Sequence, residues 1–378
     1  MSVWNDLVGQ EPVVEGLRAA VQAGVPAHAW LFTGPPGSGR SAAARAFAAA
    51  LQCREKPAGC GHCASCHQVL QGTHADVEVI RPAGLSFGVK QTRELVLRAA
   101  SSPSGGNWQI VLFEDADRAT EAAANALLKA IEEPPPRTVW LLCTPSPEDM
   151  LVTIRSRCRL VTLRTPPVAA IADALVQRDG VDRETAEVTA RAAQGHVSRA
   201  RRLATDEDAR RRRDEVLALP RRLTSVGPAV HAAEKLVKAA EAEAKAVTEE
   251  LNESETAAMR QALGESAKGR MPRGTAGAMK ELEDRQKSRA TRVKRDALDR
   301  ALLDLASYYR DVLALQLGSP GEPVNVPLGA ELRAAARDGT PEATLRRLDA
   351  IMECRERVDA NVNPLLAVES LTLALRTR

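Results

Sequence analysis

The sequence predicts an α/β domain with a parallel sheet, followed by helical domains. Three observations point there. Residues 1–165 alternate short apolar runs with helical stretches. One junction between a run and a helix is the glycine-rich "GPPGSGRS" at 34–41. Aromatic residues make up only 3% of a chain that is 44% apolar, so its cores must be built from Ala, Leu and Val, which favours helices.

The strands are expected at Trp30–Phe32, Val77–Ile80, Ile110–Phe113, Val139–Leu142 and Leu160–Leu163. Each is a short apolar run bounded by turn residues, as buried parallel strands require. Helical patterns fill 40–51, 89–100 and 120–132; the last follows Thr120 and is stopped by the prolines at 134–136. Strand–helix alternation of this length predicts a three-layer domain. "TPP" at 165–167 reads as a linker. Small helices are expected over 168–204, with turns at Asp179–Gly180 and Gly195. The remainder is helical, with apolar spacing at Leu298, Leu302, Leu305 and Leu313 and further helices at 341–358 and 364–375. The charged segment 240–295 reads as a solvated helical hairpin with an unstructured tip at 264–277, in preference to a DNA-binding arm.

With 378 residues, two or three domains are expected. The 52 basic residues nearly balance the 49 acidic ones, so nucleic-acid contact would come from local patches. No apolar run approaches a membrane span, and "MSVWNDLVGQ" has neither the basic start nor the apolar core of a signal peptide. A cytoplasmic location, with no membrane partner, is therefore expected. There, a tight cluster among the seven cysteines suggests metal rather than disulfides.

Residues 34–41 fit the phosphate-binding pattern G-x-x-x-x-G-K-[ST] except at one position, where Arg40 replaces lysine. Gly34, Gly37 and Gly39 would let backbone N–H groups approach phosphates, the following helix would point its positive end at them, and Ser41 would ligate Mg²⁺. Arginine keeps the charge but is longer, planar and forked. ATPases with this loop end their third strand in Asp-Glu, one carboxylate on Mg²⁺ and the other orienting water. Here Glu114 and Asp115 stand in reversed order. A methylene of difference moves each carboxylate by roughly an ångström, and misplacement on that scale costs ~10²-fold in rate. Two departures in one site argue against hydrolysis in cis, while leaving open whether ATP or ADP binds. Thr144 ends a strand where a polar sensor of the γ-phosphate is usual.

Cys53, Cys60, Cys63 and Cys66 provide four thiolates within a short insert. Such a set closes a tetrahedral zinc site; its spacing also suits an iron–sulfur cluster, and His62 and His67 are spare ligands. With no open position, the metal would be structural. "TIRSRCRL" sets Arg155, Arg157 and Arg159 at alternate positions, by itself no more than a basic edge.

Together, "VGQEPV" at 8–13, "GPPGSGRS", the four-cysteine insert, "AANALLKAIEEPP" at 123–135 and "SRC" at 156–158 resemble the clamp-loader AAA+ proteins of bacterial DNA polymerase III. The resemblance is clear over about 1–205. It implies an AAA+ module at 1–165 with a zinc insert at 53–66, a small helical lid at 166–215 and a helical collar that oligomerises at 216–378. Within the family, gamma/tau subunits keep the lysine loop and the Asp-Glu strand end; delta-prime subunits commonly have damaged versions of both and keep the Ser-Arg-Cys arginine. This chain looks like the latter. The family role of that arginine is a finger placed in a neighbour's ATP site, which maps onto Arg157. "GHVSRA" at 195–200 is one position off the lid's arginine pattern, so no sensor role is carried to Arg199. The partners implied are gamma/tau and delta subunits, the sliding clamp and primed DNA. Two alternatives stay open: an active gamma/tau-like ATPase, and a nucleotide-dependent binding module outside replication.

Overall fold

The computed structural model describes residues 2–82, 86–263 and 275–376. The chain divides into two units, Met1–Thr205 and Asp206–Arg378. The first unit runs α1 (Glu11–Gln22), β1 (Ala29–Thr33), α2 (Arg40–Gln52), α3 (Ala64–Gln71), β2 (Val77–Ile80), α4 (Val89–Ala99), β3 (Gln109–Phe113) and α5 (Glu121–Glu132). It continues through β4 (Thr138–Thr144), α6 (Val152–Arg155), β5 (Arg159–Thr162), α7 (Val168–Asp179), α8 (Arg183–Ala192) and α9 (Val197–Thr205).

The five strands form one parallel sheet in the order β2-β3-β4-β1-β5. Every residue of β1, β3 and β4 is buried, which explains their continuous apolar runs. Alternate side chains feed two layers. Trp30, Phe32, Leu112 and Leu141 pack with Phe47 of α2 on one face. Leu31, Val111, Phe113 and Trp140 pack with Leu95, Leu127 and Ile131 of α4 and α5 on the other. The expectation of five buried strands needs correcting at the edges: only Val161 of β5 and Val77 of β2 are buried. Each edge strand has a single neighbour, so its side chains are only partly covered.

On α2 the alanines Ala43, Ala44, Ala46 and Ala48–Ala50 are buried around Phe47, the one aromatic side chain that the helix packs against the strands. Thr120 caps α5, its hydroxyl accepting from the Ala123 amide at 3.3 Å, as the sequence suggests. The helices α7–α9 share a small core of Ile171, Ala172, Leu175, Ala186, Ala190 and Ala200.

The second unit contains α10 (Glu207–Leu217), α11 (Leu219–Arg222), α12 (Val226–Ala262), α13 (Ala276–Gln316), α14 (Gly329–Asp338), α15 (Pro341–Asp359) and α16 (Pro364–Ala374). Its core includes Leu223, Leu298, Leu302, Leu305, Ile351, Val368 and Leu371. The division between units precedes α10, which joins α13 through the buried Arg213–Asp304 ion pair at 2.9 Å. The boundary expected at 215 falls near the end of this helix.

Within 240–295, the described residues are helical on both limbs, α12 and α13. The limbs are joined by Arg289–Glu255 at 2.7 Å, Lys294–Glu241 at 2.5 Å and a Gln286 Nε2 bond to the Asn252 carbonyl at 3.0 Å. The expected unstructured tip, apart from its last residues, lies outside the described residues. Among the described residues no helix is long and apolar enough to cross a membrane.

Candidate nucleotide site and metal centre

The glycine-rich turn leaves the end of β1 and enters α2, at the C-terminal edge of a parallel sheet, where α/β folds gather ligands. Gly34, Gly37 and Gly39 all have positive φ, at 148°, 86° and 93°. Gly37 has a second reason to be glycine: a Cβ there would lie 2.5 Å from the ring of His196, at the entry to α9. A Cβ at Gly34 would meet the Leu163 carbonyl at 2.5 Å. The loop is also tied down by Gln10, which is buried. Its Nε2 donates to the carbonyls of Ser38 at 3.3 Å and Arg164 at 2.6 Å, and its Oε1 accepts from the Arg164 amide at 3.3 Å.

The charged side chains of the loop find partners within the chain. Arg40 donates from Nη1 to the carbonyl of Gly34, so its guanidinium folds back onto the loop. Glu114 follows β3 and is almost covered. Its Oε1 accepts from Arg45 on α2, from both Nε (2.9 Å) and Nη2, and its Oε2 accepts from Arg81 Nε at 3.0 Å. Asp115 has φ of 51° and lies 3.9 Å from Arg118. Thr144, fully buried, donates its hydroxyl to the Ser146 carbonyl at 2.9 Å. Ser41 is the second residue of α2 and is half-buried.

Cys143 of β4 reports how closely these charges converge. Burial pushes its thiol well above the ordinary range; Glu114 and Asp115 add to the rise, while Arg40 and Arg45 oppose it. All four therefore lie within electrostatic reach of one buried sulfur. Gly34, Gly37, Gly39, Arg40, Glu114, Asp115 and Thr144 thus gather at the ends of β1, β3 and β4. Gln10, Arg45, Arg81 and His196 were not singled out from the sequence. "GQ" in "VGQEPV" was a usable signal for the first; nothing local pairs Arg45 and Arg81 with Glu114, because they come from three separate elements.

Arg157 stands apart from this cluster, in the turn between α6 and β5. Its Nη1 donates to the Thr153 carbonyl at 2.8 Å and to Ser156 Oγ at 3.3 Å, and its Nη2 pairs with Glu132 of α5. It remains partly exposed. The neighbouring arginines differ: Arg155 pairs with Glu148 at 3.6 Å, and Arg159 stacks over Trp30 at 4.8 Å.

Cys53, Cys60, Cys63 and Cys66 bring their sulfurs within 4.8 Å of one another. Cys53 ends α2 and Cys66 lies in the first turn of α3, so two helices hold the ends of the insert. The Cys53 and Cys63 sulfurs are 3.9 Å apart, close to the roughly 3.8 Å that tetrahedral Zn–S bonds of about 2.3 Å dictate. Backbone amides already point at the sulfurs: Cys63 N–H to Cys60 Sγ and Cys66 N–H to Cys63 Sγ, both 3.4 Å. Burial acts to raise the Cys60 thiol, but the His62 and Cys63 amides and the adjoining thiols lower it, to about 6, while burial and the adjoining thiols push the Cys66 thiol up. The cluster fits a zinc ion.

The sheet order, the glycine turn and the strand-end carboxylates define a P-loop-type α/β module. Residues 9–167 match the family model described as DNA polymerase III, delta subunit. The chain is 41% identical to DNA polymerase III subunit delta' of Escherichia coli over 161 residues, 41% of this chain and 48% of that protein. It is 36% identical to subunit gamma/tau of Mycobacterium tuberculosis over 182 residues, 47% of this chain and 32% of that protein. It thus spans about half the length, or less, of these curated relatives. A gamma subunit-related protein of Thermotoga maritima aligns over 96% of this chain and 98% of its own, at 16% identity and a TM-score of 0.40, too loose a likeness to bear on function. The chain is therefore a relative of the clamp-loader subunits of DNA polymerase III, as its motifs suggest.

Proposed function

We propose that this chain acts as a delta-prime-like clamp-loader subunit that does not hydrolyse ATP by itself and lends Arg157 to a gamma/tau neighbour. One observation carries the reading: both chemical halves of its own loop are engaged within the chain, Arg40 with the Gly34 carbonyl and Glu114 with Arg45 and Arg81. A lysine contacts the terminal phosphates as a compact ammonium; a guanidinium turned onto the loop backbone does not.

Arg157 suits work in trans because its ties, to Glu132, Thr153 and Ser156, are half-exposed and can be exchanged for a partner's γ-phosphoryl group. Its charge would stabilise that group during transfer. In this reading α7–α9 form the lid, the second unit forms the collar, and Cys53, Cys60, Cys63 and Cys66 hold a structural zinc. The partners would be gamma/tau and delta subunits, the sliding clamp and, through the assembled ring, the backbone of primed DNA.

The test is ATP turnover by the chain alone and in the reconstituted complex. The chain alone is expected to give no Mg²⁺-dependent turnover. In the complex, Arg157→Ala should cut hydrolysis at the neighbouring site by roughly 10³-fold, seen as the loss of that site's share of the total rate. Turnover by the isolated chain comparable to the complex would instead favour a gamma/tau-like ATPase.

A further inference from the structure

P-loop ATPases present a strand-end carboxylate to a divalent cation that bridges the phosphates. Glu114 occupies that strand end, yet the residues around it do not fit a Mg²⁺ ion. Magnesium demands near-ideal octahedral oxygen geometry at 2.0–2.1 Å and sheds its water reluctantly. Both oxygens of Glu114 are already engaged, Oε1 by Arg45 and Oε2 by Arg81. Arg40 lies on the Gly34 carbonyl, and Arg118 lies beside Asp115 with the Asp117 carboxylate nearby. Two guanidiniums held against the Glu114 carboxylate neutralise it and repel a divalent cation.

We infer that Arg45 and Arg81 stand in place of the divalent cation at Glu114, so that the strand end beside this loop does not take a Mg²⁺ ion. The arrangement spans three elements: Arg45 comes from α2, Arg81 from just beyond β2 and Glu114 from the end of β3. The two guanidinium side chains also line a cavity of about 280 Å³ against Val69–Gly72 and Val79, apart from residues 34–41. The inference rests on reading 34–41 as an altered nucleotide loop. It concerns the chain alone, so it can fail while the role of Arg157 in the complex survives, and the reverse.

The experiment is a Mn²⁺ titration of the full chain, zinc-loaded, followed by electron paramagnetic resonance, with and without ADP. The expected result is no saturable protein-dependent Mn²⁺ site in either condition, beyond the Mn²⁺ held by ADP in a protein-free control, and a thermal midpoint unmoved by millimolar Mg²⁺. A saturable Mn²⁺ site in the unaltered chain that Glu114→Gln abolishes would overturn the inference. The variant Arg45→Met/Arg81→Met, which keeps the apolar stems, should gain a Glu114-dependent Mn²⁺ site. A folded double variant that still binds no Mn²⁺ would also overturn it, since something other than the guanidiniums would then exclude the cation. Should the double variant fail to fold, Arg81→Ala changes the more exposed of the two side chains and is expected to weaken the exclusion measurably.

Discussion

Single side chains in this protein hold their positions by exhausting their hydrogen-bonding capacity. Asp76, just before β2, is the clearest case. Its carboxylate accepts from the Ser104 amide (2.6 Å) and hydroxyl (2.8 Å), the Gly105 amide (3.0 Å) and the Gly106 amide. Burial acts to raise its pKa, but these donors outweigh it and hold the group down to about 2, against an ordinary 3.8. A depressed folded-state value contributes stability above pH 3.8, and that contribution is lost as pH falls toward 2. Urea unfolding of the unaltered chain and Asp76→Asn across pH 5 to 2.5 should show a gap of about 1–2 kcal/mol at the upper end that narrows as pH falls. A gap independent of pH would show that the carboxylate charge is not what holds the 104–106 turn. Gly37 follows the same logic through space: its φ and the nearby His196 ring leave no room for a side chain, although the sequence motif alone gives phosphate approach as the reason for glycine.

Helices and strands reveal polar contacts that periodicity hides. On α13 the buried Asp304, Ser307 and Asp311 lie on the same helix face as its leucines and interrupt the apolar stripe. They converge on the segment before α14. Asp311 accepts from the amides of Val324 and Asn325, both at 2.8 Å, and from Asn325 Nδ2 at 2.8 Å; Asn325 Nδ2 also donates to Ser307 Oγ at 3.1 Å. Arg213 Nε donates to Asp304 at 2.9 Å. Asp311→Ala leaves three donors in a buried setting without their acceptor, so equilibrium unfolding should show a loss of about 2–4 kcal/mol, far beyond a surface aspartate. At the sheet, the same limit of sequence reading appears at β5: its apolar run suggests burial, but the strand order places it at an edge, with Leu160 half exposed.

The whole chain is two units, each with its own core and different cross-links. All four clustered cysteines belong to the first unit, where they join the end of α2 to α3. Elemental analysis should find one zinc per chain, and a strong chelator should lower the unfolding temperature of the first unit while leaving the helical signal of the second in place. Iron in place of zinc, or a chelator effect spread equally over both units, would count against a local structural metal. The strands, the cap at Thr120, the phosphate-type turn and the cysteine cluster could all be read from the sequence, because each depends on residues close together along the chain. The partners of Glu114, the internal bond of Arg40, the Glu132 contact of Arg157 and the position of β5 could not. Arg45, Arg81 and Glu114 are far apart in sequence and meet only because the parallel sheet brings the ends of β2 and β3 beside α2. Local spacing determined which chemistry the chain carries; the long-range pairing of strands decided which of those charged groups meet one another instead of a ligand.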